Sequence, residues 1–271
     1  MNRPTLNAGD GRNAILLAHR YAGPFLVTHK RYTTQFQQTW HEHPIASIDF
    51  VLEGGGVGVY GGETVESRAG AVEYFRNEVK HDFRSAPGGI RSMHLCIPPD
   101  LIDRRTRTAV VRELEPSRAL GLAARLLAEL TSPDASSGLA MESLARELLA
   151  EVVPVARTPE RGTRPPKWLT AAREALHAHR SEPLGLGELA EAVGVNPGHL
   201  ARAFRGRHGC SPGEYHRRLR LADAAQRLAR SRDPLARVAL DAGFHDQAHF
   251  TRAFRSHVGV TPARFRRALA S

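Results

Sequence analysis

Cysteine is nearly absent. Only Cys96 and Cys210 occur, far apart in the chain, so neither a disulfide framework nor a cysteine zinc site is expected. No apolar run is long enough for a membrane span, and the start carries no apolar signal-peptide core. A soluble, cytoplasmic protein with no membrane partner is the expectation. No glycine motif follows a strand and opens a helix as a nucleotide site requires; Gly54 to Gly58 runs on into another strand. Excess charge is missing from most of the chain as well. The net charge is +10, yet residues 1–166 carry +1 of it and residues 167–271 carry +9. A basic excess confined to one region is the footprint expected for phosphate contact. With 271 residues and 41% apolar composition, the chain has material for two domains with real cores.

The basic region contains one pattern twice. Leu189-Ala-Glu-Ala-Val-Gly194 leads through Asn196 and Pro197 into Leu200-Ala-Arg-Ala-Phe-Arg205, and closes on Gly209-Cys-Ser-Pro212 with Tyr215. Val238-Ala-Leu-Asp-Ala-Gly243 leads into Phe250-Thr-Arg-Ala-Phe-Arg255, and closes on Gly259-Val-Thr-Pro262 with Phe265. Each copy reads as helix, tight turn, helix. Leu200 and Phe204 lie four apart on one face, Gly194 and Gly243 stop the first helices, and Asn196-Pro197 supplies a cap and a first helical residue. Asp246 is the candidate cap of the second copy. Small Ala190 and Ala239 permit a close helix crossing. Between the copies, Ser211 to Ser231 has no proline after Pro212 and predicts a helix of about 28 Å, close to the roughly 34 Å between successive major grooves on one face of DNA. Leu219, Leu221, Ala225 and Leu228 form its apolar face. Arg217, Arg218, Arg220, Arg227 and Arg230 form the other, which by itself is the ordinary composition of a solvated face.

Earlier in the chain the texture is β, following a polar, glycine-punctuated start. Phe25 to His29, Ile45 to Leu52, Val57 to Tyr60, Ala71 to Phe75 and Ser92 to Ile97 are the expected strands, with hairpin turns at Gly54–Gly56 and Gly61–Gly62. Short strands at even spacing predict a small barrel or sandwich. Within it, His41 and His43 are two apart and so share a face of a strand, with Asp49 of the same parity, and His81 follows a turn near Arg76 and Asn77. Three readings are open for these histidines: metal ligands together with a carboxylate, polar groups around a barrel mouth, or the lining of a small-molecule pocket. The last is carried forward, so His41, His43 and His81 are ligand-binding candidates with no metal and no cofactor assigned. From Pro99 onward leucines recur at helical spacing (Leu120, Leu127, Leu130; Met141, Leu144, Leu148, Val152), predicting two antiparallel helices able to face their own core or a second copy in a homodimer. Residues 154–166, with four prolines, read as the linker, and Trp168 to His179 as the first helix after it.

With the duplication, the bridging helix and the Gly-x-(Ser/Thr)-Pro closures assembled, residues 167–271 resemble the DNA-binding domain of AraC/XylS-type transcriptional regulators. The stretch Ala242-Gly-Phe-His-Asp-Gln-Ala-His-Phe-Thr-Arg-Ala-Phe-Arg255 with Gly259-Val-Thr-Pro262 matches that family's signature almost throughout; His245 departs from its usual serine-like residue. The earlier half resembles a cupin-like sensor domain through His-x-His, Gly54, Gly70 and His81, although the carboxylates Asp49 and Glu53 are out of register with the cupin pattern. The resemblance implies an α+β chain of two domains: a sensor and dimerisation domain over 1–157 (barrel about 15–100, helical pair about 101–157), a linker over 158–166, and an all-α DNA-binding domain over 167–271. It implies double-stranded promoter DNA as partner, recognition helices at about 197–208 and 246–257 in successive major grooves, a small-molecule effector in the barrel, and contact with RNA polymerase. Spacing then leaves Gly198, His199, Ala201, Arg202 and Arg205 outward in the first copy, with Arg207 beyond them, and Gln247, His249, Thr251, Arg252 and Arg255 in the second. Arg202 and Arg252 suit guanine, Gln247 adenine and Thr251 a thymine methyl; Arg205, Arg207 and Arg255 suit phosphate. Catalysis is not expected. Two rival readings are a metal-dependent cupin enzyme built on His41, His43 and His81 with a DNA-binding appendage, and a DNA binder indifferent to sequence.

Overall fold

A computed structural model of the chain describes residues 14–32, 36–102, 110–113, 118–153, 165–182 and 184–270. Among these residues eight strands make one antiparallel sheet: β1 (Ala14–Ala22), β2 (Phe25–Tyr32), β3 (Gln37–His41), β4 (Ala46–Tyr60), β5 (Glu63–Arg68), β6 (Val72–Phe75), β7 (His81–Ile97) and β8 (Val110–Glu113). Strands β4 and β7, of 15 and 17 residues, run the length of the sheet and hold it together. Their Ala46–Gly54 and Ile90–Ile97 halves lie in the order β1-β2-β7-β4-β6-β8, while their other halves pair with β5 and β3. Two four-to-six-stranded leaves thus share two long bent strands and enclose space between them.

That bend corrects one expectation. Gly54–Gly56 is not a hairpin; it lies inside β4, at a register shift between Gly54 and Gly56. Gly54 has φ +73°, and a side chain on Gly54 or Gly55 would collide with the Gly89 or Ser67 carbonyl. The glycines are there because backbone passes over backbone, so the expected runs Ile45–Leu52, from Ala46 onward, and Val57–Tyr60 belong to a single strand. The expected hairpin at Gly61–Gly62 is present, both glycines having positive φ, and joins β4 to β5. A second correction concerns residues 101–157, which are not only a helical pair: a 3-10 turn at Pro99–Leu101 and β8 precede it. The helices themselves are α1 (Arg118–Thr131) and α2 (Ser137–Val152), with Leu120, Leu127, Leu130, Met141, Leu144, Leu148 and Val152 all buried. Of the linker, residues 154–164 lie outside the described residues.

The basic region is helical throughout: α3 (Lys167–Ala178), α4 (Leu186–Ala192), α5 (Pro197–His208), α6 (Pro212–Arg230), α7 (Leu235–Asp241), α8 (Gln247–Val258) and α9 (Pro262–Ala270). No helix among the described residues is long and apolar enough to cross a membrane. The two copies are buried differently. The first packs around its own core of Leu169, Leu176, Leu189, Leu200, Phe204, Tyr215 and Leu219. The second shares one core with α1, α2 and a face of the sheet, through Phe250, Phe254, Val258 and Phe265 on one side and Ile48, Phe50, Met93 and Leu126 on the other.

Candidate functional site

The turn chemistry of both copies is as the sequence predicts. Gly194 and Gly243 sit at φ +70° and +76°, where a side chain would be strained. The Asn196 side chain accepts from the Gly198 amide at 2.9 Å, with Pro197 as the first residue of α5. Asp246 is the cap of α8 and accepts from the His249 amide at 2.6 Å; that bond holds its carboxyl below the usual range. A serine-like residue at 245 is therefore unnecessary, because the cap lies one residue later. Both helices end on left-handed glycines, Gly209 and Gly259. Even the ring contacts repeat: Phe204 meets Tyr215 edge-on at 5.3 Å, and Phe254 meets Phe265 at 5.5 Å.

This leaves one outward face on each second helix. Leu200, Phe204, Phe250 and Phe254 are fully buried. Gly198, His199, Arg202, Arg205 and Arg207 are exposed and Ala201 half-buried; Gln247, His249, Arg252 and Arg255 are exposed and Thr251 half-buried. His199 leans on Trp168 at 5.2 Å and His249 on Phe244 at 5.4 Å, so both rings are steadied by an aromatic neighbour. Among the described residues, Arg202, Arg205, Arg207, Arg252 and Arg255 make no ion pair. The arginines of α6 contrast sharply. Arg217 and Arg218 pair with Glu214, Arg227 pairs with Asp241 at 3.0 Å, and Arg220 donates to the Ala242 carbonyl at 2.9 Å while lying over the Phe244 ring. Four of the five arginines read as a solvated face thus have partners, and Arg220 braces the turn of the second copy.

The other site is a cavity of about 140 Å³ between the two leaves, ample for more than one water. Strand parity builds it. Even-numbered residues of β2 and β7 (Thr28, Lys30, Tyr32; Ser92, His94) and odd-numbered ones of β4 and β6 (Ser47, Asp49, Val51; Glu73, Phe75) face inward. Their neighbours (Val27, Phe50, Met93, Leu95) face the helices. Inside, Asp49 pairs with His94 at 3.0 Å, Ser92 hydrogen-bonds His94 at 2.9 Å, and the Ser67 hydroxyl donates to Glu73 at 2.7 Å. These polar partners were not singled out from sequence, Asp49 excepted; the parity of the Ser92–Ile97 run was the signal for His94.

His41, His43 and His81 do come together, but not as two neighbours on one strand. β3 ends at His41, and His43 lies beyond it in the connection to β4. His41 sits opposite His81 of β7, and the ring centroids of the three lie 4.2 to 5.1 Å apart. The nitrogens available for coordination lie within 4.8 Å of one another. Burial lowers the basicity of His81. Asp49 is engaged with His94 and is not part of this cluster.

A joint connects the two sites. Arg91 lies on β7 between the cavity residues Ile90 and Ser92 but faces the opposite way, where it donates to the Leu269 carbonyl of α9. It also pairs with Glu53 at 3.3 Å. A cation at the last carbonyls of a helix is favourably placed. Beside it, buried His29 is held neutral, its pKa lowered to about 4 by burial and then by the charge of Arg91. On the same side Gly121 of α1 touches the Val258 carbonyl at the end of α8 so closely that no side chain fits.

Two helix-turn-helix units on a bridging helix, joined to an antiparallel sheet with a pocket between its leaves, define a DNA-binding protein of the helix-turn-helix class. Comparison with known proteins gives the family. Residues 189–268 match the model of a helix-turn-helix domain, and residues 23–149 that of an AraC-like ligand-binding domain. A probable transcription factor of Proteus vulgaris, PqrA, is 38% identical over 100 residues, covering 37% of this chain and 78% of PqrA. The transcriptional regulator Rob of Salmonella typhimurium is 37% identical over 92 residues, 34% of this chain and 32% of Rob, so the match spans about a third of that longer relative. A transcriptional regulator of Chromobacterium violaceum with an AraC-type DNA-binding domain is 32% identical over 39% of this chain and 94% of the solved structure, with a TM-score of 0.37. The chain belongs to the AraC-type family of DNA-binding transcriptional regulators.

Proposed function

We propose that this chain is a sequence-specific, effector-controlled regulator that places α5 and α8 in successive major grooves of promoter DNA. The observation that carries this is the difference between its arginines: among the described residues those on the outward faces of α5 and α8 pair with no carboxylate, while those of α6 are mostly paired. Cations without internal partners are available to phosphates and base edges. The 19 residues of α6 span roughly 28 Å, which suits one turn of the duplex. Arg202 and Arg252 take guanine edges, Gln247 an adenine and Thr251 a thymine methyl. Arg205, Arg207 and Arg255 take phosphates, and His199 and His249 border the contact. Gly198 and Ala201 offer little side chain, so the first copy reads fewer bases than the second.

The division into a sensor over 1–157, a linker over 158–166 and a DNA-binding domain over 167–271 belongs to this reading, as do a cytoplasmic setting, contact with RNA polymerase, homodimerisation through the sensor half and the absence of catalysis. The effector occupies the cavity and acts by preferring one arrangement of the halves. Ser92 and His94 would feel it directly, one and three residues from Arg91 and its bond to α9. The deciding experiment is a binding titration on operator and on random DNA. Arg252→Ala should lose about 1–3 kcal/mol on operator and relax one base position. Arg205→Ala should weaken both DNAs alike and flatten the salt dependence. Equal losses on both DNAs for Arg252→Ala, with an unchanged salt slope for Arg205→Ala, would sink the assignment.

A further inference from the structure

The three imidazoles at the cavity wall are arranged as ligands, and we propose that His41, His43 and His81 bind one divalent first-row transition-metal ion of the zinc type. The hydrogen bonds set the tautomers. His41 Nδ1 donates to the Thr39 carbonyl at 2.7 Å and His81 Nδ1 donates to the Val79 carbonyl at 2.7 Å. A carbonyl only accepts, so in each neutral ring the proton is on Nδ1 and the other nitrogen carries a bare lone pair. His41 turns that lone pair toward His43, and the ligand nitrogens of the three rings lie within 4.8 Å of one another. Metal-ligating histidines are oriented in this way, with the far N–H tied to a backbone oxygen.

The closest pair is at the spacing of two ligands on one ion. Two nitrogens at about 2.1 Å from a common metal, at an angle of roughly 90–110°, lie about 3.0–3.4 Å apart. His41 Nε2 and His43 Nε2 are 3.1 Å apart. A hydrogen bond between that pair would serve two of the three rings. A cation serves all three. His81 is further held by the Tyr60 ring, stacked on it at 4.6 Å and 13°. The donor set comes from three places: β3, the connection after it and the start of β7. It is therefore formed by the fold and not by a local sequence motif. Imidazole suits zinc, iron, nickel and copper. His43 and His81 line the cavity. An oxygen donor from the cavity, water or the anionic oxygen of a small molecule, completes the shell. The site rests on the cavity alone, so failure of the DNA assignment would leave it standing.

The test is a titration of the chelator-stripped full chain with Co²⁺, read by visible absorption. One equivalent per chain should bind and give the d–d bands of a nitrogen-ligated ion, and Zn²⁺ should displace it. His41→Ala and His43→Ala, at half-buried positions, should each weaken binding by more than about tenfold, since even losing an outer partner of a ligand costs 10–100-fold. His19→Ala, on the exposed side of β1, should leave binding unchanged. Binding well below one equivalent, or affinity unaltered in both His41→Ala and His43→Ala, would overturn the site.

Discussion

The two helix-turn-helix copies are nearly superimposable in turn chemistry yet sit in different mechanical surroundings. The first owns its core. The second has no core apart from the sensor: Phe254 and Phe265 belong to the same buried cluster as Phe50 and Met93 of the sheet and Leu126 of α1. On the proposed reading, an effector in the cavity biases the second copy through packed contacts, whereas the first copy meets the second through α6 and through the seat of Gly243 against the Ser181 carbonyl. The repeated pattern gives two matching helix-turn-helix units, and the joint makes them unequal in what they pack against.

The largest test of that inequality uses equivalent residues. Phe204 and Phe254 are both fully buried, 50 positions apart, and truncating a buried phenylalanine costs about 3–5 kcal/mol. Phe204→Ala should strip amide-exchange protection from α3, α4 and α5 while leaving α1 and the sheet protected. Phe254→Ala should strip it from α7, α8 and α9 and also from α1. Should α1 keep its protection in Phe254→Ala, the shared core is not an energetic coupling.

Acid offers a second route. His29 is buried, with the cations Arg91 and Arg31 and the imidazole of His94 nearby, and its pKa falls from 6.5 to about 4. A lowered folded-state value means the neutral form is favoured. The contribution is complete above pH 6.5 and drains away as pH falls toward 4, by up to about 3 kcal/mol. Urea unfolding at pH 7 and pH 4 should show this loss in the native chain and a smaller one in His29→Gln. The second copy should be hit harder than the first, because Arg91 and the Leu269 carbonyl adjoin His29.

Gly121→Ala reverses an ordinary expectation. In most helix interiors this change stabilises by up to about 1 kcal/mol. Here a methyl would overlap the Val258 carbonyl, so we expect a net loss of about 1–3 kcal/mol and a second copy that parts from α1. Thermal denaturation gives the sign directly, and a rise in melting temperature would refute the close seat of α8 on α1.

What could be read from the sequence followed the range of the interactions. Both turns, both caps and the limits of α5 and α6 were legible, because Gly194, Asn196, Pro197 and Gly209 act within a few residues of themselves. The strands were half legible. Gly54–Gly56 looked like a turn because close passage of Gly89 and Ser67 and a hairpin both call for glycine, and only the fold separates the two. The His41, His43 and His81 trio was flagged by spacing on a strand, yet it forms because β3 pairs with β7, a contact that the spacing does not encode. The arginines of α6 were legible as an exposed face, and only the role of Arg220 was hidden, for a related reason. Glu214 lay within reach in sequence, but the Ala242 carbonyl that takes Arg220 comes from the following hairpin. Gly121 gave no sign at all, since a glycine in a leucine-rich helix is unremarkable until its neighbour is known.

The smallest difference between the copies is at their caps, and it is chemical. Asn196 caps α5 with an amide, which does not titrate; Asp246 caps α8 with a carboxylate. Backbone donation from His249, and then the side chain of His245, hold the Asp246 carboxyl below its usual range. Its capping is therefore complete above the ordinary carboxylate pKa and is lost as pH falls through the lowered value. Exchange of the His249 amide should quicken under acid beyond the intrinsic pH trend, while that of Gly198 follows the trend alone. Asn196→Asp should give the first copy the same acid sensitivity, and Asp246→Asn should remove it from the second. Asn196→Ala, by contrast, should cost about 1 kcal/mol at every pH. If Asp246→Asn left the acid response of α8 intact, the cap would not be its source, and the two recognition helices would differ only in what they pack against.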